Sequence, residues 1–188
     1  MKRKQSSSVA AVDGRSRSRR PRKGKRRSPS AATTTASRPR VVITKHARTL
    51  TLLDGDEEVL RWPVVLGKNP ADKQREGDLA TPEGDFFVCY KNPKSKYHRF
   101  LGLSYPNTED AERGLREKLI TRGEFTKIRN AITRKKCPSW KTALGGEVGI
   151  HGPCPNVSWT HGCIALTVPQ IERLYDLLAI GDEVSILP

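Results

Sequence analysis

The chain has 188 residues, with 35 Lys and Arg against 20 Asp and Glu and a formal net charge of +15. That length holds one ordinary domain, and no run of the sequence approaches the ~20 apolar residues of a membrane-spanning helix. Four cysteines permit two disulfides but do not make a dense disulfide scaffold.

The charge is unevenly spread. Residues 1–40 carry 14 Lys and Arg and the single acid Asp13, a net of +13, while the other 148 residues carry 21 against 19, a net of +2. Residues 1–39 have almost no large apolar side chain and cannot bury enough surface to offset chain entropy, so they are expected to be a disordered basic tail. Residues 40–188 are expected to form the folded domain. Such an arm can contact polyanions, nucleic acid included, by unspecific electrostatics, or serve as a solubilising extension. No apolar stretch of about 7–15 residues follows its positive end, so no secretory signal is visible.

From Arg40 onward the pattern is mainly β. Residues 41–44 (VVIT) and 49–53 (TLTLL) are rich in β-branched and aliphatic side chains. Asp54-Gly55 gives a turn before a second strand of a hairpin. Gly77-Asp78 and Pro82-Glu83-Gly84 read as turns leading into a strand over Phe86–Tyr90. A helix follows, with Asn107 or Thr108 as N-cap and Glu109 and Asp110 in the first turn. Ala111, Leu115 and Leu119 form its apolar stripe. A more basic helix runs from about Phe125 to Thr133. A short strand ends at His151. Pro169 suits the first turn of a last helix, which carries Ile171, Leu174, Tyr175 and Leu178 on one face, and Gly181 is placed to end it. Residues 183–187 close the chain as a strand. Helices scattered among strands, without a regular βαβ series, predict a mixed sheet or sandwich.

The stretch IHGPCPNVSWTHGCIAL, residues 150–166, gathers His151, Cys154, His161 and Cys163. As metal ligands their spacing is H-x2-C-x6-H-x-C, with a central loop short against the ~12–15 residues of finger modules. A zinc-stabilised module with a nucleic-acid-binding arm is therefore the weaker reading. As thiol chemistry the stretch needs only two residues. A cysteine requires a neighbouring imidazole to draw off its proton, and the twelve residues from His151 to Cys163 are enough to fold back. Gly162 allows a sharp turn that bares backbone N–H groups for an oxyanion. A core histidine and a buried cysteine would leave the same trace.

At these residues the sequence resembles the L,D-transpeptidase catalytic domain (YkuD) family, whose signature is His-Gly followed by Ser/Thr-x-Gly-Cys. The resemblance runs over about residues 40–187 and includes GDLATPEGDF, LGLSYPNTEDAERG, LGGEVGIHG and SWTHGCIAL. The last two are most similar to the YafK-like murein transpeptidase branch. The resemblance implies a mainly β, mixed-sheet sandwich with a few helices. It also implies a cysteine-dependent acyltransferase acting on peptidoglycan stem peptides in cell wall biogenesis and remodelling. Cys163 matches the nucleophile, His151 the general base and acid, and the backbone of Gly162 and Cys163 the oxyanion site. Gly152, Thr160 and His161 match supporting positions. Neither a metal nor another cofactor is implied. The thiolate would attack the amide between a third-position diamino acid and terminal D-Ala, and an amine of a second stem would resolve the thioester. Water as acceptor would make the same site a carboxypeptidase or hydrolase. An extracytoplasmic location, in the periplasm or cell envelope, follows from the family. Ala165 departs from the pattern, since many members carry Arg two residues after the cysteine. Cys154 has no assigned counterpart and reads as a small apolar residue.

Overall fold

A computed structural model describes residues 38–153 and 158–188. Most of the basic tail, residues 1–37, and Cys154 lie outside the described residues.

In chain order the elements are β1 (Pro39–Thr44), β2 (Thr49–Asp54), β3 (Glu57–Pro63), β4 (Gly84–Ser95), β5 (His98–Leu103), α1 (Thr108–Arg116), α2 (Arg122–Thr133), β6 (Gly149–His151), β7 (Ile164–Ala165), α3 (Val168–Leu177) and β8 (Glu183–Leu187). The strands form one eight-stranded mixed sheet in the order β3-β2-β1-β8-β4-β5-β6-β7. The first three make an antiparallel meander. The C-terminal strand β8 enters parallel to β1 and antiparallel to β4, joining the meander to the rest.

Period-2 alternation decides which way each strand faces. Val41 and Ile43 of β1, Leu50 and Leu52 of β2, and Val184 and Ile186 of β8 are buried, while their neighbours are more open. They join Leu101, Leu103, Ile150 and Ile164 from the other end of the sheet, and Ile171 and Leu174 of α3, in a single core. Each such side chain, fully buried, contributes about 1.5–3 kcal/mol against leaving it in water. The sheet therefore curls around one interior to which β6 and β7 contribute Ile150 and Ile164.

The long β5–β6 connection holds α1 and α2. Asn107 caps α1 through a reciprocal capping box with Asp110, and Thr121 caps α2 in the same way with Glu124. The two helices pack with Leu144 around a small second core of Ala111, Ile120 and Ile128. A disulfide between Cys89 and Cys137 fastens this connection to β4, at the point where the register of β4 on β5 shifts between Val88 and Tyr90.

Two expectations need correction, and one hairpin was missed. The β4–β5 hairpin, closed at Ser95 and His98, was not anticipated, because its loop Lys96-Tyr97 lacks Gly. Helix α1 ends at Arg116, so Leu119 packs on the second core from the following turn rather than from the helix. Helix α3 ends at Leu177 with Leu178 as C-cap, and Gly181 (φ +98°) turns the chain into β8 instead of ending the helix.

Candidate active site

His151 is the last residue of β6, a three-residue strand between β5 and β7. It is 3% exposed. Its ring stacks on Tyr97, with centroids 4.5 Å apart and planes 20° apart, and lies 6.4 Å from Phe100. Its Nδ1 lies 2.7 Å from the carbonyl oxygen of Gly152. A carbonyl only accepts, so that bond assigns the proton to Nδ1 and leaves Nε2 with its lone pair. Burial pushes the imidazole pKa below its ordinary value, the Gly152 hydrogen bond opposes this, and the charge of Lys96 adds to the lowering. The ring is thus favoured in its neutral form and held in one orientation.

Gly152 is needed where it stands. Its N–H donates to the Tyr97 carbonyl at 3.0 Å, and a Cβ would lie 2.4 Å from that same oxygen. The backbone at the end of β6 thus sits directly against the β4–β5 hairpin.

Cys163 immediately precedes β7, which runs parallel to β6 with Ile150 opposite Ile164 and His151 opposite Ala165. Both isoleucines face the core and are 0% exposed. Alternation then places Cys163 and Ala165 on the same side of the sheet as His151. The Sγ of Cys163, half-buried, lies 3.4 Å from the Glu147 carbonyl oxygen, to which the thiol donates.

Thr160 shapes the turn that delivers the cysteine. Its N–H donates to the Leu66 carbonyl at 2.8 Å and its carbonyl accepts from Lys68 N at 3.2 Å, which anchors it to the 66–68 segment. Its hydroxyl donates to the Cys163 carbonyl at 2.5 Å and accepts from the Gly162 N–H at 3.1 Å. A threonine hydroxyl bonding backbone two and three residues on is the ST-turn chemistry that stabilises such bends. Gly162 itself has φ +131°, a conformation L side chains rarely adopt, and a Cβ there would lie 2.7 Å from the Ala80 carbonyl oxygen.

His161 is exposed, and its ring packs against Trp159 at 5.2 Å; Lys68 lies over the same tryptophan at 5.4 Å. The structure thus brings His151, Gly152, Thr160, Gly162 and Cys163 to one end of the sheet and leaves His161 on the outside. No group of three or more His, Cys, Asp and Glu that could hold a metal occurs among the described residues. Two contributors were not foreseen. Tyr97, which stacks on His151, lies in the hairpin the pattern did not reveal. The Glu147 carbonyl is backbone, which leaves no side-chain signature.

The structure is similar to that of the helical cell shape determining protein Pgp2 from Campylobacter jejuni, with a TM-score of 0.56 and 22% identity over 81% of this chain and 48% of that one. It is similar to Bd1075 of Bdellovibrio bacteriovorus, with a TM-score of 0.53 and 21% identity over 83% and 50% of the two chains. An L,D-transpeptidase from Xylanimonas cellulosilytica gives a TM-score of 0.48 and 16% identity over 81% and 62%. The chain spans about half the length of the first two. No curated protein sequence matches it. The family model for the L,D-transpeptidase catalytic domain matches residues 38–186, nearly the whole described body, and the chain belongs to that family, YkuD.

Proposed function

We propose that this chain is a peptidoglycan L,D-transpeptidase with Cys163 as nucleophile and His151 as general base. What supports this most is that Cys163, the residue before β7, falls on the same side of the sheet as His151 at the end of the parallel neighbour β6, with the His151 ring held by Gly152 in the tautomer that leaves Nε2 able to accept a proton.

In this reading Nε2 takes the thiol proton of Cys163. The thiolate attacks the carbonyl carbon of the amide between the third-position diamino acid and terminal D-Ala of a stem peptide. The oxyanion is met by backbone N–H groups of the Gly162–Cys163 turn. The C–N bond breaks, His151 returns its proton to the departing D-Ala amine, and a thioester remains on Cys163. An amine of a second stem then attacks the thioester, forming the cross-link and restoring the thiol. Gly152 and Thr160 serve by fixing the two reacting side chains, and His161 stands at the rim with Trp159.

We assign the activity to the extracytoplasmic side, in building and remodelling the wall. The Cys89–Cys137 disulfide supports this, since such bonds persist in oxidising compartments. No helix among the described residues is long and apolar enough to cross a membrane. Residues 1–39 would act as a polyanion-contacting arm outside the catalytic body, residues 40–188.

The test is covalent. A carbapenem should add to the purified protein, tetrapeptide stems should release D-Ala, and Cys163→Ala should abolish both. An adduct that survives Cys163→Ala sinks the assignment, as does one zinc per chain that is lost on mutating His151. Muropeptide products identify the acceptor as amine or water.

A further inference from the structure

Beside the turn that carries Cys163 lies an ion pair, its lysine buried and its aspartate partly so, with no part in the chemistry above. Lys73 is 4% exposed, a rare position for a lysine. Its Nζ donates to Asp78 Oδ1 at 2.8 Å and to the Arg75 carbonyl at 3.0 Å. Asp78 also accepts the amide N–H groups of Gln74 at 2.7 Å, Arg75 at 2.9 Å and Ala80 at 3.1 Å. Burial works to raise the pKa of Asp78, but the hydrogen bonds from Arg75, Lys73, Gln74 and Ala80 outweigh it and hold the carboxyl below its ordinary value. The main chain of Lys73 is fixed from the other side. Its carbonyl accepts from Arg113 Nη2 at 3.0 Å, and Arg113 Nη1 pairs with the buried Asp110 at 3.0 Å.

Two contacts carry this cluster to the turn. Ala80, whose amide Asp78 holds, places its carbonyl oxygen 2.7 Å from where a Cβ on Gly162 would lie. The Lys73 ammonium is 4.0 Å from the same point. Residues 73–79 form no helix or strand, so the floor under Gly162 depends on side-chain bonds for its shape. Stability alone does not explain the pair, because a buried ion pair is often no more stabilising than apolar residues of similar volume. Its four directional bonds to one carboxylate supply orientation instead.

We propose that Lys73 and Asp78 are positioning residues for the nucleophile: together they hold Ala80 against Gly162 and so set the direction in which Cys163 presents its Sγ and its amide. The proposal rests on Cys163 being the nucleophile. In this role both act through Gly162 rather than on the substrate.

The test separates positioning from folding. Lys73→Met keeps the aliphatic stem but takes the counter-charge and one of four hydrogen bonds from the partly buried Asp78 carboxylate, so its melting temperature should fall. The double variant K73M/D78N is neutral again and should recover part of that loss, since its amide oxygen still accepts main-chain N–H groups while its NH2 cannot. With a tetrapeptide stem as substrate, D-Ala release by the double variant should stay roughly 10²-fold below wild type in kcat, the scale expected of a misplaced reacting group. Its KM should stay within about twofold, since substrate contacts are untouched. Activity that returns together with the melting temperature would overturn the proposal. If the double variant does not fold, Lys73→Arg, which keeps the charge on a longer donor, is read in the same assay with the same two outcomes. If the wild type releases no D-Ala, the transpeptidase reading fails by itself, and iodoacetamide labelling mapped to Cys163 decides the positioning role. Labelling slowed about tenfold or more in the variant supports it, and an unchanged rate overturns it.

Discussion

His151 Nδ1 lies 2.7 Å from the carbonyl oxygen of Gly152, the next residue in the chain. The group that orients the imidazole is thus main chain rather than a carboxylate, and it brings no negative charge to stabilise an imidazolium. Burial therefore governs the ring, and its pKa lies below 6.5. The acid limb of kcat/KM should have its midpoint below that value; a midpoint at or above it would remove His151 as the base. The same shift acts on folding. The unfolded chain binds the proton more readily, so the contribution is present above about pH 6.5 and lost as pH falls through the lower folded pKa. His151→Gln should reduce kcat/KM by about 10²–10⁴-fold.

Thr160 ties the Cys163 carbonyl and the Gly162 amide through one hydroxyl. Thr160→Val keeps the shape, deletes both bonds, and should cost about 1–3 kcal/mol as buried polar groups lose their partner. D-Ala release should fall with it, while Thr160→Ser keeps both properties near wild type. Denaturant melts and turnover of the two variants check this, and equal behaviour of Val and Ser would count against it.

Gly162→Ala forces a Cβ to 2.7 Å from the Ala80 carbonyl at φ +131°. Gly77→Ala is the matched control, because its φ is +77° but nothing lies within 4 Å of the added methyl. The control should cost only the backbone strain, about 1–2 kcal/mol. The Gly162 variant should lose more stability than the control and nearly all thiol-dependent acylation. Comparable melting temperatures for the two would show that Ala80 yields easily.

Replacing both Cys89 and Cys137 by alanine should cost about 2–4 kcal/mol, and a reducing agent should lower the wild-type melting temperature by a similar amount. The β6–β7 pairing does not involve this bond. Near the growth temperature, acylation by the folded fraction should therefore be retained. Loss of acylation in variants that remain folded would tie the disulfide to the site.

Much of this was legible in the sequence where local chemistry decides local structure. Asn107 or Thr108, followed by Glu109 and Asp110, announced the start of α1, Asp54-Gly55 announced the β2–β3 turn, and the stretch before His-Gly announced β6, whereas the two-residue strand β7 was too short to show. The hairpin at Lys96-Tyr97 was not legible, because the turn carries no Gly, Asn or Asp in its loop, and Tyr97 was missed with it. Nor was the pairing of Cys89 with Cys137. Those residues are 48 apart in sequence and meet only once α1 and α2 have folded back over β4. Asp78 stood in a quoted motif, yet its four hydrogen bonds depend on how residues 73–80 coil, which no periodicity encodes.

The helices α1 and α2 have their own small core and their own covalent fastening to β4, while Gly149 and Ile150 enter β6 under constraints from β5 and β7. The connection between β5 and β6 is therefore a cassette. Provided that Arg113 and Asp110 of α1 keep their hold on the Lys73 main chain, changes of length or charge in these helices leave the pairing of β6 with β5 and β7 in place.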